Sequence, residues 1–414
     1  MEFNIYICYT QKHVRRGAPI DLALQEMQLS DIVAAGTTKA NTPIFHQTLL
    51  SFAMILFGTQ HRQASIAKHG YSIYGAALKK LNYMLQTSKF YSRNDVILSV
   101  ATFAILECYV PTGPKHYLMH MTGLERLLEL RGPTSLCSPK SSQLYKAIRH
   151  MILFASLRTG KASILAREEW KAAFRASCSA EEIPEQDLFD VLADCTVLAA
   201  NYDDILAIRD RDPESSSRQR DEMCREGLAL LNQLHIWRAR WNSDENNSYF
   251  ETPIDFAKLE LGREPLADEL PPFLTTFEFS NNTTAIMLMF YYTTLIHVFR
   301  ILTSLTLENL RTHSNESFTP DTLQDAGYLD DVWKQIKHGY VAAERSVALQ
   351  ICRCIPDYLK RNSSLATEMS PIFQWTVTTA WMTFRGSESA EGKWLMKLLH
   401  TNNREVIAKG LLAG

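Results

Sequence analysis

No uninterrupted apolar stretch in this sequence approaches the ~20 residues that a membrane-spanning helix needs. The longest, Leu49 to Phe57, is broken by Ser51, so no membrane span is expected. An excess of basic charge is missing too. The 43 Lys and Arg stand against 45 Asp and Glu, a formal charge of −2, with a pI near 6.6. That balance excludes the broad positive field of a surface built to neutralise phosphates. Met1–Thr10 lacks the basic start, sustained apolar core and small-residue cleavage site of a secretory signal, so the chain is expected to stay inside the cell. The eight cysteines, at positions 8, 108, 137, 178, 195, 224, 352 and 354, are scattered and fit reduced thiols better than a disulfide framework.

Catalytic signatures are equally scarce. Around Gly160-Lys161-Ala162, Ala155 stands where a phosphate loop needs its first glycine, and no hydroxyl follows the lysine. Gly70 to Gly75 has the wrong spacing for a nucleophile elbow and no strand before it. His116 and His120 fall on one helix face, yet Tyr117 occupies the position of a zinc protease's glutamate. His120 is therefore read as a histidine at the edge of the apolar stripe, hydrogen-bonded to a neighbouring helix. Cys352-x-Cys354 has no second pair to close a tetrahedral site. Asp203-Asp204 and Asp330-Asp331 do not continue as Asp-Asp-x-x-Asp and read as solvated acids near helix starts. No catalytic residue, cofactor site or metal-ligand set is read from the sequence.

What is present is helix. Hydrophobic residues make up 46% and charged residues 21% of 414 positions, enough for one large core or two smaller ones. Helical periodicity marks 43–59, 62–87, 93–110, 115–131, 142–158 and 163–178, punctuated by Gly58, Asn94, Pro111, Gly132, Pro133 and Pro139. The predicted fold class is all-α, a multi-helix globular bundle. Residues 94–110, apolar nearly all round, should form a central helix. In the next helix Tyr117, Met121, Leu124 and Leu128 make one stripe, with Glu125, Arg126 and Glu129 turned to the far side. The expected organisation is an undefined segment at 1–42, a helical half at 43–208, a charged, serine-rich linker or loop at 209–222, and a second half at 223–414. Within the second half, 242–274 reads as a long connection and 322–355 as a helix ended by Pro356. The aromatic stretch Met287 to Phe299 reads as core, with a ligand cavity as the alternative.

One segment carries a resemblance. His120-Met-Thr-Gly123-Leu-Glu-Arg-Leu-Leu-Glu-Leu-Arg131-Gly132-Pro133 resembles the His-x-x-Gly helix ending in Arg-Gly-Pro of the regulatory domain of fungal Zn₂Cys₆ transcription factors. Neighbouring pieces agree in order. Upstream, Tyr74-Gly75-Ala-Ala-Leu78 and the apolar helix Asp95 to Leu106, followed by Glu107, are similar to that family. Downstream, so are Leu144 to Leu157 with Arg149, and Leu165-Ala166-Arg-Glu-Glu169-Trp170. The similarity covers roughly residues 43–178. Physically, Gly132 is suited to a left-handed turn that ends a helix, Pro133 blocks continuation, and Arg131 favours the negative end of the dipole. Gly123 is expected to let a neighbouring helix approach closely. The motif residues His120, Gly123, Arg131, Gly132, Pro133, Arg149 and Trp170 are thus read as architectural.

The resemblance implies a regulator of transcription, not an enzyme, in the nucleus and shared with the cytoplasm. The implied partners are a transcription factor or co-regulator, a second copy of the chain, or a small-molecule effector; control of a secondary-metabolite gene cluster is the implied pathway class. Family members normally carry a six-cysteine zinc module that places a helix at DNA, and only Cys8 precedes position 108 here. Direct DNA binding by this sequence is therefore not expected; an upstream exon carrying the module is an equal explanation. The alternative from another class is a helical enzyme, or a terpenoid- or lipid-binding protein, using the 287–299 cavity.

Overall fold

The computed structural model describes residues 2–13, 19–25, 43–87, 90–109, 114–208, 211–254, 271–313, 323–362 and 371–401. Fourteen α-helices and one two-stranded hairpin account for nearly all of them. The helices are α1 (Glu2–His13), α2 (Pro19–Gln25), α3 (Ile44–Gln60), α4 (Ala64–Met84), α5 (Asn94–Tyr109), α6 (Pro114–Arg131) and α7 (Pro139–Thr159). They continue as α8 (Glu168–Ala176), α9 (Ile183–Ile208), α10 (Pro213–Asn242), α11 (Asn282–His313), α12 (Leu323–Arg361), α13 (Pro371–Thr383) and α14 (Ala390–Thr401). The protein is all-α, as its periodicity predicts.

Helices α3 and α4 form an antiparallel pair whose crossing rests on two glycines. A Cβ on Gly58 would lie 2.5 Å from the Ala67 backbone nitrogen, and one on Gly70 would lie 2.8 Å from Ile55 Cγ1. Only glycine permits backbones this close. Helix α5 is buried on every side from Val96 to Glu107 except at Leu98 and Ile105, and α6 lays Tyr117, Met121, Leu124 and Leu128 against it. The far side of α6 is not wholly solvated. Glu125 accepts hydrogen bonds from the Ser163 hydroxyl (2.6 Å) and the Ile164 amide (2.9 Å), fixing the short turn before α8.

The two predicted halves share one hydrophobic core, continuous from Ile44 to Leu395. At its centre lies α11, packed by α9, α10, α12 and α13. Residues Asn282–Leu305 of α11 are long and apolar enough to cross a membrane by length and composition, and two-thirds of the qualifying window is buried in the bundle. The apolar run Leu49–Phe57 does not reveal this helix, because interspersed Thr, Tyr and His residues interrupt its apolar character without making it hydrophilic. A smaller cluster brings Tyr6, Ile7, Ile20 and Leu24 against Phe45, Leu49 and Phe52 of α3. Part of the 1–42 segment is therefore two packed helices.

Three other expectations change. The serine-rich run is not a linker beyond residue 212. The Asp212 carboxylate caps the Ser215 amide at 3.0 Å, Pro213 occupies the first turn, and Ser216 and Arg220 are buried. A cap and an N-terminal proline outweigh weak serine propensity. Helix α12 runs through Pro356 rather than stopping there. An interior proline costs ~3 kcal/mol, which the burial of Ile355, Tyr358 and Leu359, at roughly 1.5–3 kcal/mol for each large side chain, offsets. The predicted 242–274 connection contains strand β1 (Tyr249–Pro253), antiparallel to β2 (Thr275–Phe279) with Tyr249 opposite Phe279. Arg353 of α12 holds the hairpin. Its guanidinium lies over the Phe277 ring at 4.0 Å, donates to the Thr275 carbonyl at 3.0 Å and pairs with Glu251 at 2.8 Å.

Candidate functional site

The Arg-Gly-Pro segment forms a corner where α5, α6 and α7 meet. Arg131 donates to the Tyr91 carbonyl, to Asn94 Oδ1 at 2.8 Å and to the Tyr145 hydroxyl at 3.1 Å. Gly132 closes α6 through its amide, 3.0 Å from the Leu128 carbonyl. Its dihedrals, φ +74° and ψ 162°, are extended with positive φ rather than left-handed helical. That region is essentially glycine's alone, a stricter demand than the left-handed cap expected from the sequence. Pro133 then opens a 3₁₀ turn, Pro133–Cys137.

From this corner an unbroken chain of contacts leads inward. Tyr145 meets the Trp170 ring at 6.5 Å, and Trp170 meets Phe174 at 6.4 Å. Arg149, 4% exposed, lies over the Phe189 ring at 3.9 Å and donates to Glu185 and Gln186. Arg131, Arg149 and Trp170 thus join α5 through α9 as packing and hydrogen-bonding residues. Gly123 behaves otherwise. A Cβ there would meet no atom within 4 Å, so no helix among the described residues approaches it; the close approach expected at Gly123 occurs instead at Gly58 and Gly70, whose spacing carries no motif.

His120 stacks on Phe103 at 5.7 Å, and burial lowers its pKa. It makes a ring contact where a hydrogen bond was expected. With His116, Glu107, Tyr71 and Tyr74 it borders a cavity of about 480 Å³. There the Tyr74 hydroxyl donates to Glu107 at 2.8 Å, and His116 Nδ1 stands 3.8 Å from the same carboxylate. Among the described residues, no three His, Cys, Asp or Glu side chains are placed to hold a metal ion. Cys352 and Cys354 are fully buried, and burial raises both thiol pKa values. The segment Gly70–Gly75 is helical within α4. Asp203 and Asp204 are exposed near the C-terminal end of α9, not at a helix start; the side chains of Asp330 and Asp331 lie outside those described.

The aromatic stretch of α11 divides between core and cavity. Phe290 packs on Phe189 (4.7 Å) and Trp375 (5.9 Å), and Tyr291 stacks on Trp237 (5.3 Å). About two turns later the same helix lines a cavity of about 380 Å³ with His297, Arg300, Ile301 and Ser304. Arg158 of α7, Tyr202 and Asp203 of α9, and Thr379 and Met382 of α13 add to its polar and sulfur lining, while Phe154, Leu157 and Leu198 supply apolar walls. His297 is half-buried and borders the cavity. Burial, reinforced by Arg300, pushes its pKa down to about 3, and its Nε2 has no hydrogen-bond partner. Arg300 donates to the Thr383 hydroxyl at 2.7 Å and lies 3.5 Å from Glu344. Sequence reasoning reached His297 through the aromatic stretch and singled out Asp203 only as a solvated acid, but missed Arg158 and Arg300, since nothing local marks residues that meet across four helices.

The helical architecture, the Arg-Gly-Pro corner and the pairing of two half-bundles around one core lead to a family. The chain matches the family model of the fungal specific transcription factor domain over residues 21–318, and it belongs to that family. A stretch of 101 residues, 24% of this chain, is 31% identical to an uncharacterised protein of Emericella nidulans and spans 22% of that protein's length. No solved structure matches the chain.

Proposed function

We propose that this protein is a nuclear, non-enzymatic regulator of transcription that acts through its helical domain. The observation that carries this reading is the family match over residues 21–318. The cavity chemistry agrees with it. Ser304 donates its hydroxyl to the Arg300 carbonyl, and burial makes the His297 imidazole a weak base, so these two side chains do not form an activated nucleophile–base pair. A formal charge of −2 gives the helical body no general attraction for phosphates. Its contacts are accordingly with proteins: a DNA-bound transcription factor, a co-regulator or a second copy of itself.

The regulated genes belong, on this reading, to a biosynthetic cluster for a secondary metabolite. Deleting the gene and sequencing transcripts is the test, with a fluorescently tagged copy followed in the same cells. Loss or rise of a contiguous block of biosynthetic transcripts, with the tag in nuclei, is the expected result. Unchanged transcripts together with an accumulated pathway intermediate would replace regulation with catalysis.

A further inference from the structure

We propose that the cavity between α7, α9, α11 and α13 binds a small organic monocarboxylate with an apolar body. The inference goes beyond the regulatory reading and does not depend on it. Two arginines, Arg158 and Arg300, line the cavity, and Arg158 is close enough to disfavour the charge on Arg300. Arg300 has Glu344 behind it, whereas Arg158 makes no ion pair among the described residues and reaches only the Met382 sulfur, at 3.6 Å. A carboxylate between the two arginines relieves their repulsion and accepts charge-assisted hydrogen bonds. His297 is a second, independent indication: its ring borders the cavity, its Nε2 is buried without a partner, and a turn of the ring would bring that nitrogen to a ligand oxygen.

The walls decide the rest of the ligand. Phe154, Leu157, Leu198, Ala199 and Ile301 call for carbon rather than a bare inorganic anion. Asp203, on the same lining, opposes every added negative charge, so a single carboxylate held by the two arginines is favoured over a dicarboxylate. Because α7 and α9 belong to one half of the bundle and α11 and α13 to the other, an occupant bridges both.

Titration calorimetry of the full chain tests this, using 3-phenylpropionate and hexanoate as probes, with 3-phenylpropionamide, phenylsuccinate and inorganic phosphate for comparison. Saturable binding of at least one monocarboxylate is expected. The amide, the dicarboxylate and phosphate should bind at least about tenfold more weakly, the loss expected for a missing charge-assisted contact or an added repulsion. Arg158→Gln, an exposed substitution, should weaken the acid by a similar factor, and Ala199→Phe should abolish binding by filling the cavity. If Ala199→Phe loses its helical circular dichroism, Arg158→Gln carries the test alone. Failure of both acids to saturate at millimolar concentration overturns the proposal. So does equal binding of acid and amide, equal binding of phosphate, or an Arg158→Gln variant that binds like the natural chain.

Discussion

Two glycines of the same motif should respond to alanine in opposite directions. At Gly132 the backbone stands at φ +74°, ψ 162° with open space where a Cβ would go, so the penalty is backbone strain without steric collision. Such strain costs about 1–3 kcal/mol. Alanine also restricts the unfolded chain, which returns about 0.4–1 kcal/mol, leaving a net loss of about 1–2 kcal/mol. At Gly123, exposed in the interior of α6 with nothing within 4 Å, alanine gains about 0.5–1 kcal/mol of helix propensity. Gly132→Asn is the discriminating third variant. Asparagine tolerates a left-handed helical cap but not an extended residue with positive φ, so it should lose about as much as alanine. Urea unfolding followed by far-ultraviolet circular dichroism measures all three. The reasoning fails if Gly132→Ala matches the natural chain, if Gly123→Ala is the more destabilised, or if asparagine at 132 recovers most of the loss.

Other consequences are equally direct. Gly58→Ala forces a methyl to within 2.5 Å of the Ala67 nitrogen; since backbone cannot give way as a side chain can, a loss of ~2–3 kcal/mol or more is expected by denaturant unfolding. Arg149→Ala empties the space over Phe189, leaves Gln186 without its partner and should cost about 2–5 kcal/mol. Arg149→Met keeps the packing on Phe189, and with Glu185 31% exposed and able to rehydrate, it should cost clearly less; equal losses would show that the charge, not the packing, dominates. His297 is neutral in the folded protein down to about pH 3, against 6.5 for an ordinary histidine. The unfolded chain therefore takes up a proton first as pH falls, and stability is lost below pH 6.5 at up to ~1.4 kcal/mol per pH unit. A His297→Gln variant should show a flatter decline between pH 6 and 4, and an unchanged slope would contradict the burial of this imidazole.

Much of this structure was legible because it is local. The periodicities at 43–59, 62–87 and 115–131 lie within a few residues of α3, α4 and α6, since an amphipathic stripe and its terminating Gly or Pro act over one or two turns. The hairpin was not legible. Its strands have five residues each, are separated by an intervening segment of 21 positions, and owe their pairing to Arg353 more than to alternation. The helix through Pro356 was likewise hidden, because what offsets the proline is burial of Tyr358 and Leu359 by elements remote in sequence.

The sequence by itself determined that the chain is helical, where most helices begin and end, and, through the Arg-Gly-Pro corner, its kinship; each follows from chemistry between neighbours along the chain. Only the tertiary structure decided which glycines are indispensable, that two half-bundles share one core, and that Arg158, Asp203, His297 and Arg300 surround one cavity. Those properties arise where four helices cross, and the free energy of a crossing depends on shape and burial that no single stretch of sequence contains.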